Sequence, residues 1–320
     1  MSPVFAVKVK LSSRLRAAGL SDGVKMEETI KSIVLGLCSG GIYALLAVSY
    51  VVIYKSTRVF PFSQAAVLII GAYIMWYCLI PWHLPIWLGF IITCVGGAIL
   101  GMFIERAFMR PLVGQPILAP IVVTLCLMLF LRGIGILMGK GDIQGFGESF
   151  LPVGAWQFGF LHLPKIQVYG FILCAVLIAA LLLFYEKTRT GLGMRVVHED
   201  HVVAQNLGVN VKRIFQYSWV ISCIIAVVAG MLLGNIQGVG LALDANGLIA
   251  IAAVLFGGLE SFTGAIIAGL AIGILQMLTI TYIAPLLPGE TTMMIPFVFL
   301  LLILFIKPYG LFGLVRIERL

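Results

Sequence analysis

Long apolar stretches separated by short polar links set the pattern along this chain. Stretches at 33–54, 63–80, 85–104, 117–138, 166–185, 214–236, 248–259, 264–283 and 293–306 each read as a helix. A helix crosses the roughly 30 Å hydrocarbon layer with about 20 residues, and most of these stretches are that long. Strand-like alternation is absent, and lipid leaves the backbone few other ways to satisfy its polar groups. The fold class expected is therefore an all-α integral membrane protein, a polytopic helical bundle of eight or nine transmembrane segments. The stretch 248–259 is short and Gly257, Gly258 and Gly264 flank the turn at its end, so a broken or re-entrant segment is expected there.

Composition supports the membrane reading. The chain is 61% hydrophobic and 11% charged, with a mean hydropathy of +1.12, whereas soluble domains carry about 25% charged residues. All six cysteines fall in apolar stretches without a Cys-x-x-Cys pair, and they read as small packing residues. Small residues four apart, at Gly36/Gly40, Gly97/Gly101, Gly230/Gly234 and Gly269/Gly273, are expected at close helix crossings, and Gly71 joins Gly257, Gly258 and Gly264 as a packing position.

The net charge of +8 reports topology here, and nucleic acid is not an expected partner. Basic residues gather at Arg106 and Arg110, in the loop 186–213 and in the tail with Lys307, Arg316 and Arg319, while 81–84 and 284–291 carry none. Nine crossings put those three basic regions in the cytoplasm and the loop 139–165 outside. The N-terminus then also lies outside despite Lys8, Lys10, Arg14, Arg16 and Lys25, and a start at Met26 is one resolution. The organisation expected is an N-terminal extension at 1–29, a transmembrane domain at 30–307 and a cytoplasmic tail at 308–320.

Reactive chemistry is hard to find. No Gly-x-x-x-x-Gly-Lys-Ser/Thr loop occurs, so ATP is not bound by that route. "HEDH" at 198–201 lacks the His-Glu-x-x-His spacing of a zinc helix and reads as surface charge, with no metal expected. His83, His162, His198 and His201 all fall in expected loops, and no nucleophile, base and acid can be assembled. Ion-coupled transporters keep ionisable groups near the midplane. Arg132, Asp244 and Glu260 are instead expected near span ends, so energy would reach this chain through its cytoplasmic surface.

The stretch "EKTRTGLGMRVVHEDHVVAQNLGVNVKRI" is where that surface would be. Read as a single short helix, it places Val196, Val203 and Leu207 on one stripe with Ala204 beside it, and Gly208 ends it. Such a helix suits docking into a groove on a partner, or lying on the membrane surface.

"RTGLGMRVVHEDHVVAQNLGVNVKRI" also closely resembles the signature loop of the branched-chain amino acid type of ABC importer permeases. "GLCSGGIYALLAVSYVVIYKSTRVFPFSQAAVLIIGAY", "FGGLESFTGA" and "KPYGLFG" agree with the same family, and the short C-terminus resembles its smaller permease subunit. The resemblance implies a subunit of the bacterial inner membrane that pairs with a homologous permease and rests on two cytoplasmic ATP-binding subunits. It further implies that an extracytoplasmic substrate-binding protein delivers the cargo. ATP and magnesium would sit on the partners, so this chain would be no enzyme and hold no cofactor. Residues 195–211 would be the coupling helix, where Arg195, Glu199, Asp200, Ala204, Leu207 and Gly208 match the family pattern.

Phe62 and Gln64 match the family's translocation-pathway segment and Ser63 is a conservative replacement in it, but Pro61 stands where Asn is common and Ala66 where Glu is common. Without that carboxylate the cargo is a branched-chain amino acid or another small metabolite, such as an aromatic carboxylate or urea. Ser63 and Gln64 could instead satisfy backbone groups freed at Pro61. An ATP-independent secondary transporter or channel is the alternative function.

Overall fold

The computed structural model describes residues 22–116, 118–147, 151, 154–158, 161–284, 291–307 and 310–313. Its helices are α1 (Asp22–Thr57), α2 (Gln64–Leu79), α3 (Ile86–Ile104), α4 (Leu118–Gly139), α5 (Lys165–Lys187), α6 (Arg189–Glu199), α7 (His201–Asn206), α8 (Val211–Gln237), α9 (Leu243–Gly257), α10 (Phe262–Leu278) and α11 (Thr291–Ile306). After α3 the chain winds through a π turn at Glu105–Met109 and a 3₁₀ turn at Arg110–Leu112. α10 ends in a π turn at Thr279–Ile283.

Among the described residues, six helices are long and apolar enough to cross a membrane, and Gln64–Leu79, Leu243–Gly257 and Pro296–Ile306 are shorter apolar helices. The all-α membrane fold is as expected, and its nine apolar elements divide into six long and three short. One feature is new: the loop between α4 and α5 carries a small antiparallel hairpin, β1 (Ala155–Phe158) with β2 (Leu161–Pro164).

α1 and α8 form the centre of the bundle and are mostly buried, whereas α3, α4, α5 and α10 each turn most of their surface outward. That outer surface is apolar, with Leu137, Phe130 and Val176 among its exposed side chains, as lipid contact requires. The two short helices α2 and α9 belong to the centre: most of their side chains are enclosed. Tyr43 and Tyr50, midway along α1, reach Asn246 and the Gly247 carbonyl near the start of α9. α9 therefore begins deep within the bundle. A Cβ on Gly247 would lie 2.5 Å from that of Ala65, so the first turns of α2 and α9 touch.

Glycine permits this closeness. Along the antiparallel crossing of α1 and α10, a Cβ on Gly273 would fall 2.3 Å from Gly40 Cα and 2.4 Å from the Gly36 carbonyl oxygen. Gly71 meets Val227, Gly101 meets Trp219 and Gly230 meets the Leu68 carbonyl, all as backbone-level contacts. In lipid, where burial of apolar surface gives helices little reason to associate, such packing holds the bundle together.

The corner after α9 explains a further motif. Gly257 and Gly264 pack backbone to backbone, and Gly258 takes φ +100. The tail segment 310–313 folds against this corner, where Leu311 N–H donates to Phe256 O at 2.9 Å and Phe312 N–H to Gly257 O at 3.1 Å. These bonds satisfy carbonyls that the end of a helix leaves without partners.

The chain direction sorts the ends of the bundle. Ser32 Oγ lies 2.7 Å from Thr281 Oγ1, and Thr29 contacts Tyr282, so α1 starts beside the end of α10. Its other end, at Lys55–Arg58, meets α6. The start of α1 thus lies at the opposite end of the bundle from the α6–α7 segment. α1 already begins at Asp22, before Met26, and the basic residues at 8–16 lie outside the described residues.

Candidate functional site

The segment between α5 and α8 forms a ledge at one end of the bundle, the end expected to face the cytoplasm. The single helix expected there is broken at Asp200, which adopts an extended backbone (φ −153, ψ 126). The sequence itself causes the break: the Asp200 carboxylate accepts from Val203 N–H at 3.1 Å, an N-cap bond that starts α7 afresh. Gly208, at φ +79, ends α7, and Asn210 caps α8 by accepting from Arg213 N–H at 3.2 Å.

Splitting the helix also splits the stripe. Val203 (51% exposed) and Leu207 (69%) face outward with Glu199 and Asp200, while Val196 is half-buried and Ala204 is fully buried. The exposed face therefore combines two large apolar side chains with two carboxylates, a composition suited to a protein groove.

Three side chains tie the ledge to the spans. Arg195 Nη1 donates to the carbonyls of Tyr185 at 2.9 Å and Glu186 at 3.2 Å near the end of α5. Arg58 Nη2 donates to the carbonyls of His198 at 2.9 Å and Glu199 at 3.3 Å, placing a cation at the negative end of α6. His198 is buried, and its Nδ1 stands 2.7 Å from the Lys55 carbonyl, a geometry in which the ring N–H donates. The reading of His198 as a solvated surface charge is corrected: it is a buried anchor. Burial, followed by the Lys55 charge, holds its imidazole below the usual histidine range against the opposing effects of the Lys55 carbonyl and Glu260.

A second group of polar side chains lies inside the spans. Tyr43 O–H donates to Asn246 Oδ1 at 3.2 Å, and Asn246 Nδ2 donates to Gln237 Oε1 at 3.1 Å. Gln237 and Tyr43 border a cleft of about 80 Å³ together with Ser39 and Gln276. Farther along, Ser63 and Gln64 open α2 and are fully buried. Ser63 Oγ and Gln64 Oε1 have no hydrogen-bond partner among the described residues, and Gln64 Nε2 donates to Cys223 Sγ at 3.7 Å. The backbone near Pro61 is served by Gln64 N–H instead, so these side chains do not act as its substitutes. Phe62 is half-buried and packs on Phe60, which stacks on Tyr50.

Arg132 and Asp244 pair at 3.1 Å, with the Asp244 side chain 12% exposed. Their expected places near span ends need correction, because Asp244 lies in the first turn of the deeply starting α9. Among the described residues no cluster of three or more His, Cys, Asp or Glu could hold a metal ion.

Residues 32–304 match the model of the family described as branched-chain amino acid transport system / permease component. The chain belongs to this family of permeases. Curated relatives include the high-affinity branched-chain amino acid transport system permease protein LivH of Escherichia coli (strain K12), 28% identical across 89% of this chain and 95% of that protein. BraD of Pseudomonas aeruginosa is 27% identical over 91% and 97%. The probable permease LivH of Methanocaldococcus jannaschii is 30% identical over 84% and 88%. Among solved structures, PsaBC from Streptococcus pneumoniae in complex with Fab aligns at a TM-score of 0.43 and 15% identity, covering 94% of this chain and 98% of that one, too weak a likeness to bear on the site.

This permease is thus a multi-pass protein of the bacterial inner membrane. The sequence-matched residues occupy two separate places, joined by the short link from Arg58 to Gln64. Arg195, Glu199, Asp200, Ala204, Leu207 and Gly208 share the ledge; Phe62, Ser63 and Gln64 lie where α2 begins. Arg58, His198, Tyr43, Gln237 and Asn246 were missed as site residues. The signal for the last three was visible as isolated polar residues within apolar stretches, which in lipid are costly unless used.

Proposed function

We propose that this permease is the membrane-spanning subunit of an ATP-binding-cassette importer. It pairs with a homologous permease, receives cargo from an extracytoplasmic substrate-binding protein and is driven by two cytoplasmic ATP-binding subunits. ATP and Mg²⁺ belong to those subunits, and this chain catalyses no reaction itself. Its cargo is a branched-chain or other hydrophobic amino acid, or a small metabolite of similar chemistry, in line with the names of the relatives.

The observation that carries this reading is the ledge: an exposed apolar and acidic face whose back is bonded to the ends of α1 and α5. When the ATP-binding subunits close, a docked ledge moves with them. Arg58, His198 and Arg195 pass that displacement to the spans as a rigid-body shift between outward- and inward-facing states. Inside, α2 and α9 are discontinuous helices whose N-terminal ends converge, and the partial positive charge of such ends favours a carboxylate. The orphaned Ser63 and Gln64 atoms and the Tyr43–Asn246–Gln237 chain offer polar contacts along the route.

The test is purification of the tagged permease in mild detergent with identification of what accompanies it, followed by uptake in liposomes. A second permease, ATP-binding subunits and ATP-dependent uptake are the expected results. A chain that comes alone and moves solute without ATP would overturn the reading in favour of a secondary transporter or channel.

A further inference from the structure

A cavity of about 310 Å³ opens at the cytoplasmic end, between the close of α1, the π turn after α3, the start of α4 and the start of α8. The volume is within the range, about 300–1,000 Å³, of sites for small organic ligands. Its wall is largely apolar, with Val113, Phe215 and Trp219 contributing, and its charged members are Arg58, Glu105 and Arg110.

Glu105 and Arg110 neutralise each other. Their carboxylate and guanidinium meet in a two-pronged contact, 3.1 Å at Nε and 3.0 Å at Nη2, with the Glu105 side chain 2% exposed. Arg58 is different. Its Nη2 bonds two neutral carbonyls at the end of α6, and its Nε is buried with no hydrogen-bond partner among the described residues. No salt bridge to Arg58 is seen among those residues either. Its backbone stands at φ +55, a conformation most side chains avoid, and such residues gather at working sites.

An apolar chamber with one uncompensated guanidinium is chemically complementary to an apolar monoanion. We propose that this cavity binds a small hydrophobic carboxylate from the cytoplasm, with Arg58 as the anion-recognising residue and Val113, Phe215 and Trp219 around the apolar tail. Arg58 also holds the end of α6, so occupancy draws on the same guanidinium that fixes the ledge. A hydrophobic carboxylate accumulating inside would thereby slow further cycles. This regulatory consequence rests on the ledge being the ATPase-coupling surface; the binding itself does not.

The experiment uses the permease as purified, with whatever subunits accompany it, in nanodiscs of neutral lipid. 4-Methylpentanoate is the probe, because it keeps the branched tail and carboxylate and lacks the ammonium group of an amino acid. Titration calorimetry should show binding to the wild type and none of the uncharged 4-methylpentanamide. Val113→Trp fills the rim of the cavity from a half-exposed position and leaves the Arg58 bonds intact. It should weaken binding at least about tenfold, a change of about 1.4 kcal/mol, as should Arg58→Met.

ATP hydrolysis by the complex should fall as the probe is added and stay unchanged in Val113→Trp. No binding, or equal binding to Val113→Trp, would overturn the site. Occupancy by anionic lipid, with no carboxylate binding in neutral nanodiscs, would overturn it in favour of a lipid site. Binding without any change in hydrolysis would overturn the regulatory role. If no ATP-binding subunits co-purify, the importer reading fails while the titration still decides the cavity.

Discussion

Replacing His198 by Leu isolates one of the three ties that hold the ledge. Leu keeps most of the apolar volume in this buried position but removes the Nδ1 contact with the Lys55 carbonyl at 2.7 Å. That carbonyl lies in the last turn of α1, where no further helical N–H can replace the lost donor. Leaving a buried acceptor without a partner costs about 1–3 kcal/mol. The Arg58 and Arg195 bonds remain, so the cost falls on opening of α6 and not on the spans.

At 1.4 kcal/mol per factor of ten, opening of α6 becomes roughly 5- to 150-fold more frequent. Hydrogen–deuterium exchange reads this directly: amides in Arg189–Glu199 should exchange faster by that factor, while α1 and α8 keep their protection. His198→Gln, which retains a donor, should recover much of the loss. An α6 exchange rate unchanged in the Leu variant, or faster exchange spread evenly through the spans, would refute the anchor role.

The same residue gives the ledge a pH dependence with a defined sign. The folded pKa of His198 is lowered, so its contribution is fully present above the unfolded value of about 6.5. It is lost as pH falls through the lower folded pKa, because the charged ring would be buried away from water and beside Lys55 and Arg58. Exchange in α6 should therefore accelerate below about pH 6 in the wild type and show no such step in His198→Leu.

Other perturbations separate structure from transport. Ala204→Leu adds three carbons at a fully buried point beneath α7, an overpacking that costs about 1–3 kcal/mol and displaces the short helix. ATP hydrolysis should continue while ATP-driven uptake falls severalfold; tightly coupled uptake would count against the ledge. Gly273→Leu places a Cβ 2.3 Å from Gly40 Cα and should lower the melting temperature by several degrees. Gly133→Leu, where nothing lies within 4 Å, should leave it unchanged. Gln64→Leu removes an unpartnered buried oxygen, so stability should hold or rise by about 1 kcal/mol while uptake drops. Normal uptake with an unaltered substrate profile would take Gln64 off the route.

Much of this permease is written in its chain order. The apolar runs, the basic links and the glycines four apart depend on local composition and on the energetics of lipid, and both can be read without coordinates. The ledge was also locatable, because a charged stretch this long between spans has few places to go. What one-dimensional reading could not supply was partnership across distance. His198 looks like a surface charge beside Glu199 and Asp200; the end of α1, some 140 residues earlier in sequence, makes it a buried anchor.

The same holds inside the bundle. Ser63–Gln64 and Asn246–Gly247 lie far apart in sequence, and each reads alone as a polar pause in an apolar run. Only packing against the middle of α1 shows that both helices begin deep in the protein and meet. The break at Asp200 is intermediate. Its capping chemistry was available in the sequence, yet the same residues fit a continuous helix nearly as well, since a single N-cap is worth about 1 kcal/mol. Burial of Ala204 and His198 against the spans, with Asp200 left outside to cap α7, decides between the two.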